Sequence, residues 1–126
     1  MMNAGIALAL SVFSLHQAQP SLLDDLSKKS VKYFWEQSHP VTGLTKDRAS
    51  NFKDDTQTIA SVAATGYALA AYAIGAHRGW LDRKAALDRS VRTVKWLNEK
   101  GAKRSGWFYH FVDWSDASTA NPRADS

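Results

Sequence analysis

Thr58-Ile59-Ala60-Ser61-Val62-Ala63-Ala64-Thr65-Gly66-Tyr67-Ala68-Leu69-Ala70-Ala71-Tyr72-Ala73-Ile74-Gly75-Ala76 is a run of nineteen residues without a single charge. Most of its side chains are Ala, Ser, Thr or Gly, with larger apolar groups interspersed, so it predicts a helix buried on every side. Small residues let neighbouring helices approach closely. The length is near that of a membrane span, but few of the residues are large aliphatics and the flanks are richly charged, which argues against a stable span. The next segment is its opposite. Asp82 is placed to cap a helix, Leu87, Val91, Val94 and Leu97 form one apolar stripe, and Arg83, Lys84, Asp88, Arg89, Arg92 and Lys95 wet the remainder up to Gly101. An inner helix and an amphipathic outer helix, joined by the short turn Arg78-Gly79-Trp80-Leu81, predict one hairpin of a double helical ring. The fold class is all-α.

Upstream, Ser21 after Pro20 is a good N-cap, and Asp24 and Asp25 suit the positive end of a helix dipole. Leu22, Leu23, Leu26, Val31 and Phe34 or Trp35 recur at helical spacing, and the helix is expected to stop before His39-Pro40. Val41-Thr42-Gly43 reads as a turn and Leu44 to Lys53 as a loop carrying Asp47, Arg48 and Asn51. Asp54 or Asp55 is expected to cap the following helix.

Downstream, Gly106-Trp107-Phe108-Tyr109-His110-Phe111-Val112-Asp113-Trp114 packs aromatic rings and imidazole against a closing carboxylate. Two readings fit: core, or a wall that grips a flat, hydroxyl-rich ligand. Ser115 to Ser126 is polar and small, and is expected to be a disordered tail.

Composition bounds the rest. The 126 residues allow one modest domain. The net charge of +4 is concentrated between Asp82 and Arg104, where eight basic residues face three acidic ones. That pattern is a solvated helix face rather than a nucleic-acid surface, so no nucleic-acid partner is expected. With no cysteine, disulfides and thiolate metal sites are excluded. His39 and His77 are isolated, no His, Asp and Glu set has metal-ligand spacing, and neither metal nor cofactor is expected. Residues 1–19 read as a signal peptide, because Ala4 to Phe13 is an apolar run of the right length and Ala18 offers a cleavage position. Export to the periplasm or outside the cell follows as the expectation.

Several blocks together resemble a known family: Leu22-Leu23-Asp24-Asp25-Leu26, Tyr33-Phe34-Trp35-Glu36-Gln37, His39-Pro40, Thr42-Gly43-Leu44, Asp47-Arg48, Ile59 to Gly66, Ile74-Gly75-Ala76, Arg78-Gly79-Trp80 and Trp107 to Asp113. Their order and spacing resemble the opening third of the glucoamylase-like domain. That family includes endo-β-1,2-glucanases of glycoside hydrolase family 144 and a segment of cyclic β-1,2-glucan synthases. The resemblance implies a barrel of six helical hairpins, a glucan or other oligosaccharide as partner, and an acidic pocket at one end. Twelve helices of about 15 residues with loops of about 5 need ~240 residues. Residues 20–114 therefore read as an N-terminal fragment, an incomplete six-hairpin α/α barrel with a short extended aromatic segment, inactive alone and open to self-association through its apolar helix.

The candidate substrate-binding residues are Asp47, Arg48, Trp107, Tyr109, His110 and Asp113. Asp47 and Arg48 either pair with each other to order the loop or offer hydrogen bonds to sugar hydroxyls. Trp107 and Tyr109 either stack on a sugar or pack in the core, and His110 reads more naturally as a hydrogen-bonded structural residue than as a base. Glycoside hydrolysis needs two carboxyl groups, one of them a proton donor. Asp113 is the one candidate acid, since aromatic neighbours would raise its pKa by desolvation. A noncatalytic carbohydrate-binding or scaffold fragment fits the same residues, and a basic helical nucleic-acid binder resting on Arg83 to Arg104 is the less favoured alternative.

Overall fold

A computed structural model describes residues 21–53 and 55–120 of the chain. The expected leader, residues 1–19, lies outside the described residues, as do Asp54 and the last part of the tail. Three helices and two small antiparallel sheets follow in the order α1 (Leu22–Glu36), β1 (Ile59–Ser61), α2 (Val62–His77), α3 (Arg83–Lys100), β2 (Lys103–Arg104), β3 (Trp107–Phe108) and β4 (Phe111–Asp113). The expectation of an all-α chain is thus corrected to a mostly helical one, because short strands tie the loops together.

Each helix starts where an oxygen can satisfy its free amides. Ser21 Oγ accepts the Asp24 amide at 3.1 Å, and Asp82 Oδ1 accepts that of Ala85 at 2.7 Å. The third cap moves a boundary. Ser61 Oγ accepts the Ala64 amide at 3.3 Å, so α2 begins at Val62 and the preceding residues are strand. Asp55 accordingly caps no helix.

The uncharged run is not buried all round. Thr65, Ala68, Ala71, Tyr72 and Gly75 face inward, while Tyr67 and Ile74 are exposed. Tyr72 and Ala68 pack with Ala86 of α3, and Phe34 and Trp35 of α1 close the cluster. The Tyr72 hydroxyl donates to Ser38 Oγ at 2.6 Å, and the Arg89 guanidinium lies 3.6 Å from the Trp35 ring while donating to the Trp35 carbonyl at 2.5 Å. On α3 the buried positions are Ala86 and Thr93, seven apart on one face. The stripe of Leu87, Val91 and Val94, expected to pack, is instead more than half exposed. Beside it runs an open groove of about 460 Å³ lined by Tyr72, Ala73, Ala76, Leu87 and Ser90. Among the described residues no helix is long and apolar enough to cross a membrane.

At one end of the helices, four extended segments lie side by side. Lys46 bridges Ala60, Ala60 pairs with Val112, and Val112 bridges Thr119, all antiparallel. Leu44, Ala60, Val112 and Ala117 form the core beneath, covered by Val62, Trp96, Leu97 and Trp114. Ser115 to Ala120, expected in the disordered tail, therefore form an ordered turn. Asp113 N–H donates to the Ser118 carbonyl at 2.8 Å, and burial of Ala117 holds the turn down. The second sheet is the β2–β3 hairpin, whose two-residue turn, Ser105 and Gly106, has φ of 52° and 84°, the positive pair such tight hairpins require.

Gly43 joins the loop to α3. Its φ is +75°, and a Cβ there would sit 2.7 Å from the Thr93 Cβ and also meet its hydroxyl, which is already committed to the Arg89 carbonyl at 2.8 Å. Both strain and overlap oppose any side chain. Gly43→Ala is expected to cost at least about 3 kcal/mol and lower the Tm by roughly 12 °C or more. Thermal unfolding checks this, and an unchanged Tm would refute the packing of the loop on Thr93.

Candidate functional site

The sheet register brings the two separated acidic candidates to one edge. Asp47 N–H donates to the Ile59 carbonyl at 3.0 Å, and Ile59 pairs in turn with Asp113. Asp47 and Asp113 thus flank β1, two strand spacings or roughly 10 Å apart along the backbone. Asp47 Oδ2 pairs with Arg48 Nε at 3.4 Å, while Arg48 extends into solvent. The two side chains thus pair with each other while the guanidinium stays accessible.

Asp113 does not have the environment of a proton donor. Burial pushes its pKa up, but the Ser115 hydroxyl and amide, the Thr58 hydroxyl and the Asp116 amide outweigh it, leaving the carboxyl below the usual carboxylate value. The Ser115 amide lies 2.8 Å from Oδ1. The aromatic neighbours were expected to raise this pKa. Hydrogen bonds to the charged form win because the strand end turns sharply and its free donors point back at the carboxylate. Asp113 is therefore held in its ionised form by donors of its own chain, the opposite of what a general acid needs.

The aromatic candidates are not core. Trp107 is 80% exposed on the β2–β3 hairpin, and Tyr109 is exposed just after it. His110 is also exposed, its ring edge-on to Phe111 at 4.4 Å and its carbonyl accepting the Val62 amide at 3.0 Å. Among the described residues, no hydrogen bond or ring contact links Trp107, Tyr109 or His110 to Asp47, Arg48 or Asp113. The structure sets the charged candidates on either side of β1, leaves Trp107 and Tyr109 at the β2–β3 hairpin, and places His110 immediately before β4.

Other side chains share the charged edge. Lys46 is almost fully buried, with Nζ 3.9 Å from Asp55 Oδ2 and 4.6 Å from the centre of the Trp114 ring. Asp55 accepts the amides of Gln57 at 2.9 Å and Ser50 at 3.1 Å. The Gln57 bond leads in lowering its pKa; burial opposes this, and Ser50, Lys46 and Lys53 add to it. The Tyr33 hydroxyl donates to the Lys46 carbonyl at 3.2 Å. Burial first, then the Asp47 and Asp55 charges, raise its pKa. His39 packs edge-on to Trp114 at 5.0 Å, and its Nδ1 accepts the amides of Thr42 at 3.2 Å and Val41 at 3.3 Å. Burial lowers its pKa, against an opposing pull from Asp113. Sequence reasoning missed Lys46, Asp55, Tyr33 and Trp114 as members of this edge. The run Lys46-Asp47-Arg48 was the available signal for the first of them. Among the described residues, no three His, Asp or Glu side chains are grouped to hold a metal ion.

This arrangement of helical hairpin and sheet is similar to part of a glucoamylase-like domain. An exo-β-1,2-glucooligosaccharide sophorohydrolase of Parabacteroides distasonis is 30% identical over 98 residues, covering 78% of this chain and 13% of that protein. Among solved structures, the endo-β-1,2-glucanase of Chitinophaga pinensis, in complex with sophorotriose and glucose, matches with a TM-score of 0.64 and 21% identity over 74% of this chain and 23% of that one. A glucoamylase-like protein from Bacteroides uniformis gives a TM-score of 0.62 and 25% identity over 72% of this chain and 21% of that one. No model of a known protein family matches the sequence. The chain thus spans only a small part of the relatives it matches.

The site makes stability depend on pH in two windows. His39, Asp113 and Asp55 all bind protons less readily when folded, so each stabilises the fold at high pH and loses that contribution as pH falls. For His39 the loss begins near the ordinary histidine value of about 6.5, and for the two acids near about 4. Denaturant unfolding against pH is expected to show a decline below about pH 6.5 that His39→Asn removes, since the amide oxygen still accepts the Val41 and Thr42 amides. A slope that persists in that variant would contradict the assignment.

Proposed function

We propose that this chain supplies a substrate-binding part of a β-1,2-glucan-acting glycoside hydrolase, an incomplete α/α barrel that binds sugar but does not cleave it alone. The observation carrying this reading is the pairing of β1 with both neighbours, in which Asp47 and Arg48 on one side of β1 face across it toward an ionised Asp113 on the other. Carboxylates and a guanidinium on one edge offer the directional hydrogen bonds that sugar hydroxyls need. The relatives support it, because the sophorohydrolase and the endo-β-1,2-glucanase act on β-1,2-linked glucose. The lowered pKa of Asp113 favours hydrogen-bond acceptance over proton transfer by this residue. Trp107 and Tyr109 add an exposed stacking arm. Residues 1–19 are read as directing export to the periplasm or beyond.

Sophorose titrated into the full chain is expected to give saturable chemical-shift changes without release of reducing sugar. Arg48→Met and Trp107→Ala alter exposed side chains, and each is expected to weaken binding about tenfold, or about 1.4 kcal/mol, at unchanged Tm. Unaltered affinity in both variants, or turnover by the pure chain, would contradict the reading.

The open face of α2 and α3 carries the second part of the proposal, that the chain alone self-associates there. Leu87, Val91 and Val94 recur along one stripe and remain exposed, a patch that soluble monomers rarely leave uncovered. Sedimentation is expected to show concentration-dependent association that Leu87→Lys with Val91→Glu abolishes. A monodisperse monomer at all concentrations would refute it.

A further inference from the structure

Charged groups on this chain mostly stand in water. The pairs Lys29–Asp25 and Lys84–Asp88 join helical neighbours whose side chains are half to four-fifths exposed, and such pairs contribute little. Lys46 differs. Its side chain is 6% exposed, and burying an ammonium is costly unless its surroundings compensate. The compensation comes from three directions: the Asp55 carbonyl at 3.4 Å, the Asp55 carboxylate at 3.9 Å and the Trp114 ring at 4.6 Å. An ammonium over a desolvated indole is a favourable cation–π contact.

The partners on either side explain what the contact connects. Asp55 closes the loop internally through the Ser50 and Gln57 amides, and Ser50 Oγ accepts the amides of Phe52 and Lys53 at 3.3 Å. Phe52 at the tip is 97% exposed, so the loop has no apolar anchor there. Trp114 belongs to the opposite side of the sheet. Its amide donates to the Thr58 carbonyl at 2.8 Å, and its carbonyl accepts the Thr42 hydroxyl at 2.7 Å. Lys46 is thus the side chain that reaches from the loop's internal clasp to the strand end beside Asp113.

We propose that Lys46 is a positioning residue, its buried ammonium clamping the Asp47–Gln57 loop to Trp114 and so fixing Asp47 and Arg48 relative to Asp113. The name positioning residue rests on the glucan reading above; the clamp itself does not. Lys46 touches no sugar in this account. Its occupancy of the Trp114 face also removes that indole from the stacking surfaces available to a ligand, leaving the hairpin aromatics for that role.

Hydrogen exchange of the full chain, followed by mass spectrometry on peptides spanning 47–57, tests the clamp. Lys46→Met is expected to accelerate exchange of that loop tenfold or more while the α2 peptides stay at the wild-type rate, and Lys46→Arg is expected to restore protection to within threefold. Trp114→Leu leaves the internal bonds of Asp55 in place, and it is expected to loosen the same loop through loss of the ring. Sophorose affinity is expected to fall with loop protection across the series. Unchanged loop exchange in Lys46→Met, or acceleration spread equally over all peptides, would overturn the proposal. Should Lys46→Met fail to fold, an unaltered loop in Trp114→Leu would overturn it instead. Absence of sophorose binding by the wild type would sink the glucan reading and leave the clamp to be judged by exchange alone.

Discussion

The antiparallel pairing of Ile59–Ser61 with Phe111–Asp113 joins stretches separated by two complete helices. Once made, it dictates much else. It holds the start of the uncharged run extended, so that Ser61 caps α2 at Val62, and it seats Val112 against Leu44 and Ala60. It also lets Lys46 on one side and Thr119 on the other extend the sheet. Closing so long a loop costs entropy that only non-local packing returns. The buried Leu44, Ala60, Val112 and Ala117 are that return, and they place the charged edge at the end of the helices.

The remaining architecture is a hairpin with one covered and one open face. Tyr72 is the pivot of the covered side, buried among Ala68 and Ala86 and hydrogen-bonded to Ser38. Arg89 fills the gap beside it by stacking on Trp35, so a charged residue does the packing that an aliphatic one does elsewhere. On the open side Leu87, Val91 and Val94 stand without cover. The best apolar stripe of this outer helix thus faces away from its own hairpin.

Helix identity was legible in the sequence because caps are local. Ser21, Asp82 and Gly101 mark boundaries through hydrogen bonds to residues three or four away, and all three stand where the pattern places them. The burial of those helices was not legible. Periodicity identified the Leu87–Val94 stripe but not which face of α3 meets α2, since that depends on Ala86 and Thr93 fitting against Tyr72 and Gly43. The start of α2 was missed for a related reason: Ile59 and Ala60 suit a helix until a distant strand claims them.

For the site, Asp47, Arg48 and Asp113 could be nominated from residue type and from the family-like blocks, and the register sets them along one edge. The charge state of Asp113 could not. It is fixed by Ser115 and Thr58, which carry no signal until the chain turns back on itself. Lys46 was equally silent, because a lysine beside an Asp-Arg pair reads as solvated unless Trp114 is known to lie over it. Residue types announce chemistry, but only the fold assigns water, partners and charge to each.

The strand register is the claim on which the site depends, and nuclear Overhauser contacts between backbone protons test it most directly. The Trp114 amide bond to the Thr58 carbonyl makes Ile59 and Asp113 a close, non-hydrogen-bonded pair, and the Val62 bond to the His110 carbonyl does the same for Ser61 and Phe111. The account predicts strong Hα–Hα contacts within both pairs. Their absence, with continuous helical amide–amide contacts running from Thr58 through Val62, would contradict it.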